Sequence, residues 1–172
     1  DVMLEPTIEP EQLEGLINTL MVKYPVLLVD LSATAPELQN KVISKAHHIV
    51  LVSQPNVSCL RSARSISQEI KELRGGKADD LSIFINMAGI AKEYELEKAD
   101  IAKAVEITPQ CHVAYDPKLF VRLESEGVNM AQDKVMKEIL QQRFVPFAQK
   151  ILDIDSDDEF VQEEQAPANM IS

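Results

Sequence analysis

The sequence predicts an α/β fold in which helices flank both faces of a parallel sheet. Short aliphatic runs at 26–30, 49–53, 81–86 and 111–114 are separated by stretches with helical periodicity, an alternation that builds parallel sheets rather than hairpins. The 45% hydrophobic content is mostly Leu, Ile, Val and Ala, with 5% aromatics and no Trp, the usage expected where helices cover aliphatic strands. A length of 172 residues allows a real core and fits one domain.

Taken in order, Pro10 suits a first helical position, and Leu13, Leu16, Ile17, Leu20 and Met21 recur at helical spacing, predicting a helix over 10–23. Pro25 ends that pattern. Val26-Leu27-Leu28-Val29 is a continuous apolar run closed by Asp30, which predicts a buried strand. A short helix over 36–45 leads to the second strand. Ser58 can cap a longer helix with Leu60, Ala63, Ile66, Ile70 and Leu73 as its buried stripe, ending near Lys71, Arg74 and Gly75. After the strand that ends at Asn86 come a helix over 97–105, a weaker strand from Cys111 to Ala114, and helices over 118–126 and 131–152. Pro146 is expected to kink or split the last of these. The segment 153–172 is acidic and aperiodic and reads as a disordered tail, leaving 1–152 as the domain.

Charge and cysteines narrow the function classes. Of the net charge of −11, seven negative charges lie after Lys150, with no Lys or Arg to balance them. Neither part has the basic surplus that phosphate neutralisation needs, so direct nucleic-acid binding is not expected. Cys59 and Cys111 form neither a disulfide framework nor a paired-thiol metal motif, which fits a reducing cytoplasm. No apolar run approaches the ~20 residues that span a bilayer, and no signal peptide opens the chain. The first residue is Asp1 rather than Met, so a longer gene product is expected.

In a parallel α/β sheet, ligands collect beyond the C-terminal ends of the strands, where loops converge and helix N-termini offer free N–H groups. Four segments are expected there: Asp30-Leu31-Ser32, Ser53-Gln54-Pro55, Asn86-Met87-Ala88 and Tyr115-Asp116-Pro117. Asp30 at the end of an apolar strand has the form of a Walker B carboxylate that holds Mg²⁺; it reads equally as a strand-end Asp capping its own loop. Asn86 carries an amide that both donates and accepts, suited to a purine edge, or to a plain turn.

Together these residues resemble the MinD/ParA family of nucleotide-binding proteins, and especially its TadZ/CpaE pilus-assembly branch. The resemblance rests on order: a strand ending in Asp30, then Ile49 to Val52 followed by Ser53-Gln54-Pro55 and an Arg-bearing helix, then Ile83-Phe84-Ile85-Asn86, then Ala114-Tyr115-Asp116-Pro117, with Gly127 beyond. It covers about residues 9–152. The resemblance implies a P-loop NTPase architecture, with Asp30 beside Mg²⁺ and ATP phosphates, Ser32 following it, Asn86 on adenine, and Tyr115 and Asp116 lining the base pocket. It also implies a homodimer that ATP holds face to face, a link to pilus-secretion machinery, and a cytoplasmic protein recruited to the cell pole or inner membrane through partners. Arg61 and Arg64, on the exposed side of the helix after Pro55, are candidates for partner contacts or form a plain solvated helix face.

The family's phosphate-binding loop is absent from these residues, so the resemblance is to the family's C-terminal half, and it implies a missing N-terminal half as a partner. Gly75-Gly76-Lys77 echoes that loop, but Ala78 replaces the hydroxyl residue and the context is inverted, so it reads as a helix C-cap. Leu31-Ser32-Ala33-Thr34 lacks the Gly of a switch loop, and Ala114 stands where the family has Pro. The chain alone is expected to bind ATP weakly and not to hydrolyse it. The rival reading is an α/β interaction domain that binds no nucleotide. His47, His48 and His112 lack the partners of a zinc site, and the EF-hand-like spacing of Asp153, Asp155, Asp157 and Glu164 has Asp158 at the Gly position.

Overall fold

The computed structural model describes residues 8–32, 34–76 and 79–153 and divides at residue 116 into two compact units. The expected tail beyond 153 lies outside the described residues. Helices α1 (Pro10–Lys23) and α2 (Pro36–Lys45) each start at a proline, where the missing N–H is no loss and φ is already helical. Strand β1 (Ile49–Ser53) leads to α3 (Val57–Leu73), β2 (Leu81–Ala88), α4 (Lys98–Val105) and β3 (Cys111–Ala114).

The strands form a parallel sheet in the order β1-β2-β3, with Ile49 opposite Leu81 and Phe84 opposite Cys111. The α/β class and the parallel sheet stand as expected. The strand expected at 26–30 does not join it. Those residues belong to no strand, and Leu28 is 95% exposed. An apolar run is only a candidate strand; the ladder partner that would make it one is not present among the described residues.

The core of the first unit lies where α3 and α4 cover β2. Leu60 and Ala63 of α3, Ile101 and Val105 of α4, and Ile83 and Ile85 of β2 are buried together. Alternation puts Ile83 and Ile85 on one face, while Ser82 and Phe84, also buried, face the other way. Asn56, not Ser58, caps α3, its Oδ1 accepting from the Cys59 N–H at 2.9 Å. The buried stripe of α3 also differs: Ser67 is buried, while Ile66 and Leu73 are each 44% exposed.

Two polar ties hold the helices. Glu14 on α1 meets Lys41 at 2.5 Å and Lys45 at 2.7 Å on α2. The Lys41 ammonium, and then that of Lys45, lower the Glu14 carboxyl from the usual 4.5 to about 2. A depressed carboxyl stabilises the fold above its unfolded pKa and loses that contribution as pH falls through the folded one. Chemical denaturation at falling pH should therefore show a loss of stability between 4.5 and about 2 that is smaller in Glu14→Gln. Parallel pH profiles for the two proteins would remove this pair from the acid response.

The second tie is Arg74 at the end of α3, which donates to the carbonyls of Ile43 (2.6 Å) and Ala46 (2.8 Å) and pairs with Asp80. Gly75 and Gly76 follow with φ of 68° and 85°. Their N–H groups bond the carbonyls of Glu72 and Lys71, the two bonds of a Schellman cap. The glycine pair is thus a helix end, as its context suggests.

The second unit contains α5 (Pro117–Glu126), α6 (Lys134–Ile139) and α7 (Val145–Leu152), around Leu119, Leu123 and Met136. The helix expected over 131–152 starts later, at Lys134, capped by Asp133, whose Oδ1 accepts from the N–H groups of Val135 and Met136. Its Oδ2 pairs with Arg122 at 2.7 Å, and that guanidinium holds the Asp133 carboxyl below its usual range. A π-helical segment, Leu140–Phe144, precedes Pro146 and divides the helix, because proline removes a helical donor. No helix among the described residues is long and apolar enough to cross a membrane.

Candidate functional site

Because the three strands are parallel and adjacent, the segments after them leave the sheet at one end. These are Gln54-Pro55 after β1, Asn86-Met87 in the last part of β2, and Tyr115-Asp116 after β3. The register shows how the middle segment is shaped. Ile85 lies opposite His112 and Ala88 opposite Ala114, so β2 spends one residue more than β3 over this stretch. That extra residue makes a bulge containing Asn86 and Met87, and Met87 takes a left-handed φ of 56°. Bulges re-aim side chains beside sites, and a left-handed non-glycine residue holds strain that its surroundings must sustain.

A cleft of about 440 Å³ lies against this bulge, lined by Ser53, Gln54, Cys59, Ser62, Asn86 and Met87 among others. That volume falls within the ~300–1,000 Å³ of small-molecule sites. Two lining side chains touch, Gln54 Nε2 reaching Met87 Sδ at 3.3 Å, and Gln54 is held from outside the lining by Asn56, whose Nδ2 donates to Gln54 Oε1 at 3.3 Å. Asn86 Oδ1 accepts from the Met87 N–H at 2.8 Å, which orients the amide and leaves its NH₂ without a partner among the described residues.

The loop beyond β2 is held from within. The Glu95 carboxylate accepts from the N–H groups of Gly89, at 2.9 and 3.0 Å, and of Ala91 at 3.0 Å. These backbone donors, Ala91 first, lower its pKa. Tyr115 is anchored by its N–H to the carbonyl of Ala88 at 2.8 Å, which ties the β3 exit to the end of the bulge.

The five residues singled out from sequence fall into separate groups. Asn86 lines the cleft. Tyr115 and Asp116 follow β3, outside that lining. Asp30 and Ser32 form a local pair, with Asp30 Oδ1 accepting from Ser32 Oγ at 2.6 Å and from its N–H at 2.9 Å. The Ser32 hydroxyl and then its N–H lower the Asp30 pKa. This pair does not line the cleft either. Among the described residues, no group of His, Cys, Asp and Glu is arranged to hold a metal ion. Arg64 is engaged within the fold, with Glu106 at 2.5 Å and the Ala104 carbonyl at 3.2 Å.

Compared with known protein families, characterised proteins and solved structures, the chain matches none.

Sequence reasoning put Gln54, Asn86 and Met87 in the segments expected at the strand ends, gave a role only to Asn86, and missed Cys59 and Ser62. The bulge is a mismatch in length between two strands far apart in sequence, so no local pattern announces it. Gly89, two residues after Met87, was the one available sign of an irregular exit.

Proposed function

We propose that the chain supplies the base-recognising side of an adenine-nucleotide site in a MinD/ParA-like positioning protein of the TadZ/CpaE kind. The observation that carries this reading is the convergence of Gln54, Asn86 and Met87 on one cleft at the C-terminal end of a parallel sheet, where such sheets take their ligands. The free NH₂ of Asn86 suits a ring-nitrogen acceptor of adenine, and Met87 supplies an apolar, polarisable contact for the ring. Asp30 is the residue that would hold Mg²⁺ beside phosphates, with Ser32 next to it; the hydrogen bonds it accepts from the Ser32 hydroxyl and N–H favour its ionised form. In this reading the architecture is that of a P-loop NTPase with helices on both sheet faces. Nucleotide biases assembly of a homodimer that positions pilus-secretion machinery from the cytoplasm.

The phosphate loop is not among these residues, so the base supplies the affinity. Adenosine and Mg-ATP should then bind with similar, millimolar affinity in calorimetry. Asn86→Ala should weaken both by about 1–3 kcal/mol through loss of the hydrogen bond. Saturable binding of ATP but not adenosine, or unchanged binding by Asn86→Ala, would contradict the reading. A second reading, an interaction domain that binds no nucleotide, is favoured by the separation of Asp30 and Ser32 from the cleft lining. Absence of binding by both adenosine and Mg-ATP is the result that this second reading expects.

A further inference from the structure

We infer that Glu95, which lies outside the cleft lining, is the positioning residue that sets Gln54 and Met87 against each other in the cleft. It acts through two parts of itself. Its carboxylate holds the exit of β2, and its main chain holds the turn between β1 and α3.

The carboxylate acts where the chain leaves the bulge. Two residues there are left-handed, Met87 at φ 56° and Gly89 at 94°. Glycine takes that conformation freely and methionine does not, so the turn needs support from outside itself. Its own closure is a long bond, from the Ile90 N–H to the Met87 carbonyl at 3.3 Å. Glu95 supplies the rest. Oε1 accepts from the Gly89 and Ala91 N–H groups, each at 3.0 Å, and Oε2 accepts from Gly89 at 2.9 Å. Hydrogen bonds to an ionised acceptor are roughly twice as strong as neutral ones.

The main chain acts on the other side. Glu95 stands opposite Asn56 in an antiparallel bridge, and the Leu96 N–H donates to the Pro55 carbonyl at 2.9 Å. Asn56 in turn caps α3 through the Cys59 N–H and donates to Gln54 Oε1, while Gln54 Nε2 reaches Met87 Sδ. The contacts therefore form a closed ring: from the Glu95 carboxylate to Gly89, along the chain to Met87, across to Gln54, on to Asn56 and back to Glu95. Each link in such a ring is held in place by the others, so loss of the strongest one loosens both loops.

Amide hydrogen exchange on the whole chain, free of nucleotide, tests this role. In Glu95→Ala the Gly89 and Ala91 amides lose their acceptor and exchange faster; the inference requires the Met87 and Cys59 amides to follow, by at least about tenfold. The Arg74 amide, bonded to the Ile70 carbonyl at 3.0 Å at the far end of α3, should not change. Glu95→Gln keeps one acceptor oxygen without the charge and should fall between wild type and Glu95→Ala. Acceleration confined to Gly89 and Ala91 would show that Glu95 serves only its own loop, and equal acceleration at Arg74 would make it a residue of general stability; either result overturns the inference. The consequence for ligand rests on the adenine reading: Glu95→Ala should weaken adenosine binding about fivefold by loosening a site it does not line. Unchanged affinity would also overturn the inference. A wild-type chain that binds no adenosine would end the adenine reading instead, and the exchange measurement would still decide the role of Glu95.

Discussion

Ile83→Ala is expected to remove about 4 kcal/mol of stability. Ile83 is fully buried at the centre of the core, on the middle strand, between α3 and α4. Truncation loses the transfer energy of the side chain and leaves a cavity that three packed elements cannot close. A domain of this size is stable by roughly 5–15 kcal/mol, so the loss would consume much of the margin. Urea denaturation should show a lower midpoint with an unchanged slope, and Ile83→Val should cost only about 1 kcal/mol. A loss below about 1 kcal/mol for the alanine variant would mean that the α3–β2–α4 sandwich is not the core.

Arg74→Ala is expected to cost about 3 kcal/mol, more than its place at a helix end suggests. Its guanidinium serves the Ile43 and Ala46 carbonyls and the Asp80 carboxylate at once, with only 15% of the side chain exposed. Asp80 Oδ1 is buried and has no partner among the described residues, so removing Arg74 strands a carboxylate already short of donors. The Arg74→Lys variant keeps the charge but not the fork that reaches several acceptors, and should recover less than half of the loss. Full recovery with lysine would show that charge alone, not the geometry of the guanidinium, secures the α2–α3 junction.

Much of the secondary structure was legible because its signals are local. Pro10 and Pro36 mark helix starts that the structure places at those residues, and Pro146 divides the last helix as expected. The runs at 49–53 and 111–114 become strands with the same bounds, while β2 extends past Asn86 to Ala88. What could not be read depends on neighbours. Val26 to Val29 has the composition of a buried strand, yet Leu28 is almost fully exposed, because a strand is made by its pairing and not by its apolar content. Ile66 has helical spacing but lines the cleft rather than the core.

The site followed the same division. Placing Asn86 at the sheet's C-terminal end needed only strand direction. Its juxtaposition with Gln54 and Met87 needed the bulge, which arises from a register shift against β3. Asp30 and Ser32 satisfy each other locally, a two-residue pattern that the capping interpretation of a strand-end Asp already contains.

Chemical-shift mapping with adenosine reports location as well as binding. An adenine site at the bulge should give saturable shifts at Ser53, Gln54, Asn86 and Met87, with the amide of Ile83 unmoved beneath them, and those shifts should be lost in Asn86→Ala. Shifts confined to other segments, or none that saturate at millimolar adenosine, would contradict an adenine site at the β2 bulge.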